Sequence, residues 1–282
     1  MDPILKDQYE SDLELLRSSA VMAGIVASSY FRREIKSWTK ENSSPVSEAD
    51  YKVDEILFQN LMAARPNYGW LSEESADDFK RLKFERVFVV DPIDGTRAFM
   101  RGDDCWSISL AIVEYGKAVA GVIYAPARNE LYEASLGNGA FLNGKPLVKQ
   151  KQYSKLPIIP APNVVHKELE EKGLKYVRGA VFPSLAYRLV QVATGVLDVA
   201  LARRGAQDWD IAAAAIILEE SNIEIKDVCC GKPIFNKREV RHGAVIAINN
   251  EYDKSDISLE PILCETLKNI YGCPLENKKE EI

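Results

Sequence analysis

The first part of the chain alternates apolar and polar residues with the period of an α-helix. Apolar side chains recur every three or four residues over 9–31, as at Leu13, Leu16 and Ala20, and the same period predicts a second helix over 50–64. Pro66 follows the second pattern, and proline disrupts a continuing helix. We therefore expect two packed helices at the start of the fold.

After residue 85 the pattern changes to that of β-strands. Turn sequences YGK and ARN separate the later apolar segments, which predicts antiparallel neighbours. The four segments are RVFVVD (86–91), SISLAIVE (107–114), AVAGVIYAP (118–126) and ELYEASL (130–136).

Past residue 151 short strands alternate with helices. The sequence predicts helices over 184–195 and 210–221, the first ended by Gly195, and strands over 197–202 and 244–249. No internal repeat is evident, and the charged segment ENKKEEI (276–282) is expected to fray. The two parts of the chain therefore differ in the order of their predicted helices and strands.

Composition and charge exclude several classes of protein. A chain of 282 residues with 46% hydrophobic residues can build a large core, while a net charge of -6 gives no electrostatic basis for binding nucleic acid or an anionic membrane. The acidic N-terminal sequence is unlike a signal peptide, and no apolar run approaches the roughly 20 residues of a membrane span. We expect a cytoplasmic globular protein.

Cysteine and histidine offer little chemistry. The five cysteines include no CxxC pair, so neither a disulfide framework nor a thiolate zinc site is indicated. The two histidines, His166 and His242, lie near no nucleophile signature. Any catalysis must therefore depend on carboxylates.

The segment FVVDPIDGTRAF (88–99) ends a strand with two carboxylates three residues apart. Asp91 lies at the carboxyl end of the strand, where ligands bind in open sheets, and Pro92 stiffens the backbone so that Asp94 can point into the same space. Gly95 allows close approach of the main chain to a phosphate, and the Thr96 hydroxyl can orient a water. A solvated acidic turn is the plainer interpretation of this segment alone.

Three other acidic positions stand out. Glu73 and Glu74 lie in WLSEES (70–75), Asp210 lies at the predicted N-cap of a helix of small residues, and Asp50 opens the second helix. Each has a plainer interpretation, because Asp is a favourable N-cap residue and a Glu pair is usually exposed.

Several strand-end and helix-start carboxylates, without His or Cys, favour a hard cation such as magnesium acting on a phosphate. In aspartyl-phosphate phosphatases of the haloacid-dehalogenase type the strand ends in DxDxT, whereas Asp91 and Asp94 here form DxxDGT. The additional residue disfavours a covalent aspartyl intermediate and favours a ligand role for both carboxylates.

The order EES, DPIDGT and WDIAA, with SPVSEAD and GNGAFLNG around them, resembles the signature of the inositol monophosphatase superfamily. The resemblance extends from the first helix to about residue 250. It implies an α+β fold, a layered α/β/α/β/α sandwich, with residues 1–150 holding an antiparallel sheet, two helices and most metal ligands. Residues 151–282 then form a smaller α/β half that contributes Asp210 and the residues on the substrate side of the site.

The resemblance also implies a magnesium-dependent, lithium-sensitive phosphatase and a homodimer. Glu73, Asp91 and the Ile93 carbonyl resemble the ligands of one magnesium, and Asp91, Asp94 and Asp210 those of a second. A third ion could contact Glu73 through water.

The remaining catalytic roles follow from the same resemblance. Thr96, supported by Asp50, resembles the pair that orients and deprotonates the attacking water, with Glu73 also in the catalytic set. The N–H groups of Gly95 and Thr96 resemble the phosphate cradle, and Asp94 and Asp210 also lie on the substrate side.

The substrate side departs from the family pattern. Arg203 replaces the Glu that precedes the WD motif in animal members, and FPSL (182–185) replaces the usual glycine and small residue before Ser184. Arg97, directly after DPIDGT, is similar to the basic residue of 3'(2'),5'-bisphosphate nucleotidases, and with Arg203 it could bind a second phosphate. The plainer interpretation is that both arginines are solvated.

Three functions remain open. The leading one is an inositol-1-monophosphatase, and the alternative enzyme is a 3'(2'),5'-bisphosphate nucleotidase; both act on a small phosphorylated metabolite. The third is a regulatory protein that binds RNA or transcription partners, against which the acidic pI near 5.3 and the complete carboxylate set argue.

Overall fold

Two long helices precede the main sheet, as the sequence predicts. The computed structural model describes residues 3–40, 45–149, 156–229, 231–249 and 259–273. Helix α1 (Pro3–Tyr30) and helix α2 (Glu48–Ala64) are separated by a short antiparallel hairpin of β1 (Ser37–Thr39) and β2 (Pro45–Ser47). Both helices bury apolar and small side chains, among them Leu16, Ala20 and Leu57, against one face of the sheet.

The main sheet has seven strands in chain order. They are β3 (Gly69–Ser72), β4 (Arg86–Asp94), β5 (Ser107–Glu114), β6 (Lys117–Ala125), β7 (Glu130–Ser135), β8 (Gly139–Leu142) and β9 (Lys145–Pro146). The predicted antiparallel pairing of β5, β6 and β7 is confirmed, and only β3 with β4 is parallel among the described pairs of this sheet. A short helix, α3 (Thr96–Arg101), follows β4 directly.

The described residues of the second half add four helices and two small sheets. A parallel pair, β10 (Ile158–Ile159) with β11 (Val177–Arg178), accompanies a three-stranded antiparallel sheet in which β14 lies between β12 and β13. Its remaining elements are α4 (Asn163–Glu171), α5 (Leu185–Thr194), β12 (Val199–Ala202), α6 (Asp208–Glu220), β13 (Ile225–Asp227), β14 (Val245–Ile248) and α7 (Leu259–Tyr271). Sequence periodicity predicts α5, β12, α6 and β14, but it did not indicate α4 or α7.

These elements stack in five layers. The helices α1 and α2 cover one face of the seven-stranded sheet, α5 and α6 cover the other, and the small sheet and α4 with α7 follow outward. The approach of α6 is close, because a Cβ added at Gly121 in β6 would lie 2.9 Å from the Ala213 Cα. The predicted α/β/α/β/α sandwich is confirmed.

The two halves share a core. One apolar cluster joins residues of the main sheet, such as Val89 and Ile123, to residues of α5 and α6 such as Leu189 and Ile217. The boundary expected after residue 150 falls in 150–155, which lies outside the described residues. The segment 276–282, which was expected to fray, also lies outside them. None of the helices within the described residues is long and apolar enough to cross a membrane.

Candidate active site

Strand β4 carries Asp91 and Asp94 where its pairing with β5 becomes irregular. Asp91 pairs with Ser109 and Asp94 with Ser107, and the register shifts between them. The Asp91 carboxylate accepts a hydrogen bond of 3.0 Å from the Ile93 N–H. The interruption after a fully buried strand therefore places both carboxylates in the interior at the carboxyl end of β4.

Helix α6 brings a third carboxylate to the same place. The helix begins at Asp208 with Gln207 as its N-cap, so the prediction that Asp210 is the N-cap is wrong; Asp210 is the third helical residue. Its carboxylate accepts a 2.7 Å hydrogen bond from the Gln207 N–H in a capping box. Carboxylate oxygens of Asp91, Asp94 and Asp210 all lie within 4.8 Å of one another.

This cluster concentrates negative charge in the interior. Burial, together with repulsion from Glu73 and Asp94, raises the pKa of Asp91 well above its ordinary value, and burial with repulsion from Asp94 does the same for the pKa of Asp210. Burial raises the pKa of Asp94 to about 6. Oxygen donors packed this closely fit a hard divalent cation, which would relieve their repulsion.

Glu73 lies beside the cluster, and its carboxylate is paired with a lysine. The Glu73 N–H donates to the Val90 carbonyl of β4 at 3.1 Å. The Lys40 Nζ lies 3.1 Å from the Glu73 carboxylate and 2.7 Å from that of Glu74. Burial raises the pKa of Glu74 to about 7 against the opposing charge of Lys40. The sequence analysis did not identify Lys40, which lies far from the acidic motifs in the chain.

Thr96 and Asp50 lie together, as the sequence predicts. The Thr96 hydroxyl is 3.1 Å from the Asp50 carboxylate and 3.1 Å from the Ile93 carbonyl oxygen. Asp50 does not cap α2, since the helix begins at Glu48 after the N-cap Ser47, and Asp50 instead accepts hydrogen bonds from the Ser47 N–H and hydroxyl at 2.8 and 2.6 Å. Burial raises the pKa of Asp50.

Gly95 occupies a position that only glycine fits easily. Its φ of +94° lies in the left-handed region, and an added Cβ would lie 3.3 Å from both the Cys105 carbonyl oxygen and the Ser184 nitrogen. The main chain therefore passes close to two other segments between Asp94 and Thr96.

Ser184 is fully buried and holds Asp94 in place. As the N-cap of α5, its hydroxyl accepts a 3.0 Å hydrogen bond from the Tyr187 N–H and donates one to the Asp94 carboxylate. The Ala186 N–H donates a second hydrogen bond to Asp94 at 2.7 Å. The amino end of α5 thus supports the carboxylate of Asp94 with dipoles of the correct sign.

The two arginines singled out in the sequence lie at the periphery. Arg97 lines a surface cavity of about 450 Å³ together with Thr39 and Met100. Arg203 is exposed in the turn after β12, near the phenol of Tyr271. Two other arginines were not identified from the sequence: Arg188 on α5 lies near enough to Asp94 for their charges to interact, and Arg128, in the turn after β6, faces Cys105.

The sequence profile of the inositol monophosphatase family matches residues 8–261, which include every carboxylate described above. A chain with this fold and this site is a phosphatase of that family, and the protein therefore belongs to the inositol monophosphatase family.

Individual relatives differ in the substrate that their names state. An inositol-1-monophosphatase of Mesorhizobium japonicum is 32% identical over 72% of this chain and 78% of its own length. A histidinol-phosphatase of Chlorobaculum parvum is 34% identical over 74% of this chain and 83% of its own length, and a 3'(2'),5'-bisphosphate nucleotidase CysQ of Aggregatibacter actinomycetemcomitans is 29% identical over 83% and 91%.

A solved structure supports the same fold. The extragenic suppressor protein suhB of Bartonella henselae superposes with a TM-score of 0.74 at 28% identity and covers 92% of this chain and 98% of that one.

Proposed function

We propose that the protein is a magnesium-dependent phosphate monoester hydrolase that uses water as the nucleophile, with inositol-1-phosphate as its substrate. The observation that carries the proposal is the buried triad of Asp91, Asp94 and Asp210, whose oxygens lie within 4.8 Å of one another on β4 and α6. Such an all-oxygen donor set suits magnesium, which favours carboxylates and substrate phosphate.

In this proposal the cation ligands are Glu73, Asp91, the Ile93 carbonyl, Asp94 and Asp210. Lys40 pairs with one oxygen of the Glu73 carboxylate, its Nζ 3.1 Å from Oε1, and a carboxylate has a second oxygen with which to bind a cation. A bound divalent cation would supply Lewis acidity, which makes water more acidic and stabilises charge on a transferring phosphoryl group.

The residues of the chain then orient the reacting groups. The Thr96 hydroxyl, 3.1 Å from the Asp50 carboxylate, is placed to orient the attacking water, and Asp50 to receive its proton through Thr96. The N–H groups of Gly95 and Thr96 form the phosphate cradle, because the left-handed backbone of Gly95 exposes the start of α3. No side chain here needs to form a covalent phosphoryl intermediate.

A bisphosphate nucleotidase is the second candidate. The support for it comes from positive charges: Arg203 stands where a Glu would contact an inositol hydroxyl in animal members, and the charge of Arg188 interacts with that of Asp94. A regulatory role through RNA or transcription partners receives no such support from the charged residues of the site.

The test is parallel phosphate release from inositol-1-phosphate, histidinol phosphate, adenosine 3',5'-bisphosphate and fructose-1,6-bisphosphate, each with and without magnesium. We expect turnover that requires magnesium, and the ranking of kcat/KM identifies the substrate class. Absence of magnesium-dependent turnover of all four phosphate esters would contradict the proposal.

We also propose that the protein is cytoplasmic and that it is a homodimer, the second of which the family resemblance supports. Light scattering after gel filtration tests the assembly, since a dimer of the 31.6 kDa chain has twice that mass. A monomeric mass at micromolar concentration would exclude a stable dimer.

A further inference from the structure

The first turn of α6, which carries Asp210, is held by a buried pair of side chains. Asp208 is the first residue of the helix and is fully buried, and its Oδ1 lies 2.7 Å from the His242 Nε2. The carboxylate accepts, so the His242 Nε2–H donates. The Asp208 Oδ2 accepts a second hydrogen bond of 2.7 Å from the Asn236 N–H. Both oxygens of Asp208 are therefore fixed by residues that lie far along the chain.

Main-chain hydrogen bonds fix the same segment, residues 235–242, beside the start of α6. The His242 N–H donates to the Ala206 carbonyl at 2.8 Å, and the Asp208 N–H donates to the Val240 carbonyl at 3.0 Å. The His242 side chain is buried. Because backbone and side chain are both held, His242 presents its Nε2–H to Asp208 in one fixed direction.

Arg81 ties the segment 235–242 to the first half of the chain. It lies between β3 and β4 and is only 2% exposed. Its Nη1 donates to the Asn236 side-chain oxygen at 2.6 Å, and its Nη2 donates to the Lys237 carbonyl at 3.0 Å. The Asp77 carboxylate accepts from the Nε and Nη2 of the same guanidinium at 3.1 and 2.8 Å and balances its charge. The guanidinium is thus held from both sides.

These contacts connect two sides of the candidate cation site. Arg81 follows β3, the strand that leads into Glu73, and Asp208 precedes Asp210 by two residues in the first turn of α6. The Asp210 carboxylate accepts from the Gln207 N–H at 2.7 Å, so its direction follows that of the turn. Both oxygens of Asp208 are already engaged, which suits a structural support better than a cation ligand.

We propose that His242 is a positioning residue of the cation site, which acts through Asp208 on the first turn of α6 and so holds the Asp210 carboxylate against β4. Arg81 supports the same turn from the first half of the chain. The inference rests on the proposed function, because it takes Asp210 as a cation ligand. Removal of a group that orients a metal-binding side chain typically lowers cation affinity about 10–100-fold.

The experiment measures magnesium binding to the cation-free protein by calorimetry, and the magnesium dependence of kcat alongside it. The variants are His242→Ala, His242→Gln and Arg81→Gln. His166→Ala is the matched control, since His166 is the other histidine of the chain, is also buried, and has its Nδ1 2.8 Å from the Tyr176 hydroxyl in the outer part of the fold. Circular dichroism and thermal melting verify that each variant is folded at the temperature of the titration.

We expect His242→Ala to lower magnesium affinity about 10–100-fold and to raise the magnesium concentration for half-maximal kcat in parallel. The KM for substrate at saturating magnesium should change little, because His242 does not contact the substrate. His242→Gln should recover most of the affinity, since an amide N–H can replace the lost donor. Arg81→Gln should weaken binding in the same direction.

The control separates positioning from a general loss of stability. His166→Ala should lower the Tm and leave magnesium affinity unchanged. Wild-type affinity in folded His242→Ala, or an equal loss of affinity in His166→Ala, would overturn the inference. If His242→Ala does not fold, His242→Phe gives the same test, because it keeps a ring against Phe235 but loses the donor.

Magnesium binding also separates this inference from the proposed function. If wild type binds magnesium but hydrolyses no ester, the proposed function fails, while the comparison of affinities still decides the role of His242. If wild type binds no magnesium, both are overturned.

Discussion

The replacement Ser184→Ala separates two roles for a residue that sequence resemblance assigns to the substrate. The hydroxyl accepts from the Tyr187 N–H at 3.0 Å, donates to Asp94 and lies 2.9 Å from the buried Ser107 hydroxyl. If these contacts are its role, the replacement should destabilise the protein without substrate. A hydroxyl that only contacts substrate would leave stability unchanged.

The magnitude follows from the bonds that are lost. Loss of an N-cap costs about 1 kcal/mol, and loss of a hydrogen bond to a carboxylate costs about 1.5–3 kcal/mol. Asp94 keeps the Ala186 N–H at 2.7 Å, so it is not left without a donor. The expected loss is about 2–4 kcal/mol of unfolding free energy, or roughly 5–10 °C in Tm for a chain of this size.

The assay combines denaturant unfolding with steady-state kinetics on the best substrate. We expect kcat to fall because Asp94 is less well held, with a smaller change in KM. Ser29→Ala is the control: its exposed hydroxyl donates to the Val26 carbonyl at 2.7 Å, and its removal should change stability by less than about 0.5 kcal/mol. An unchanged Tm with a raised KM in Ser184→Ala would refute this reasoning and assign the hydroxyl to the substrate.

Three further predictions test the site. Asp91→Asn should lower kcat about a thousandfold or more, equivalent to about 4 kcal/mol. It should also raise the Tm of the cation-free protein, because it removes one charge from a buried cluster of carboxylates that repel one another. A kcat near that of wild type would mean that Asp91 is not a ligand. Lithium in the millimolar range should inhibit turnover uncompetitively with respect to substrate. Absence of inhibition would count against the second cation site, and Asp210 would be the first of its proposed ligands to test. Gly121→Ala should destabilise by about 1–3 kcal/mol, since its Cβ would lie 2.6 Å from Ile216 Cγ2 and displace α6; an unchanged melting temperature would show that α6 can shift freely.

The fold could be predicted from the sequence where periodicity is strong. The strands β4 to β7 and the helices α5 and α6 follow from local patterns, because each is rich in apolar residues that the fold buries. The helices α4 and α7 were not identified from the sequence, although each carries an amphipathic pattern whose apolar side packs against the small outer sheet. The predicted helix starts, Asp50 and Asp210, lie two residues after the observed ones. An Asp at the third helical position can accept a hydrogen bond from the N-cap N–H, so in sequence it resembles an N-cap.

Within the candidate site, too, the residues that could be identified from the sequence are those whose position is determined by a short local motif. The carboxylates were found because each belongs to a short motif whose position on a strand end or helix start determines where it points, as with Asp91 and Asp210. The basic residues are not located by a motif: Arg97 follows the motif in the chain and lines a surface cavity, whereas Arg128 and Arg188 lie 60 residues apart in the sequence and both contact Phe182 because α5 packs on the sheet. The proposed cation ligands are therefore encoded locally in this chain. Residues that would select the substrate depend on the packing of the two halves, and a change in that packing could alter specificity while the catalytic motifs stay the same.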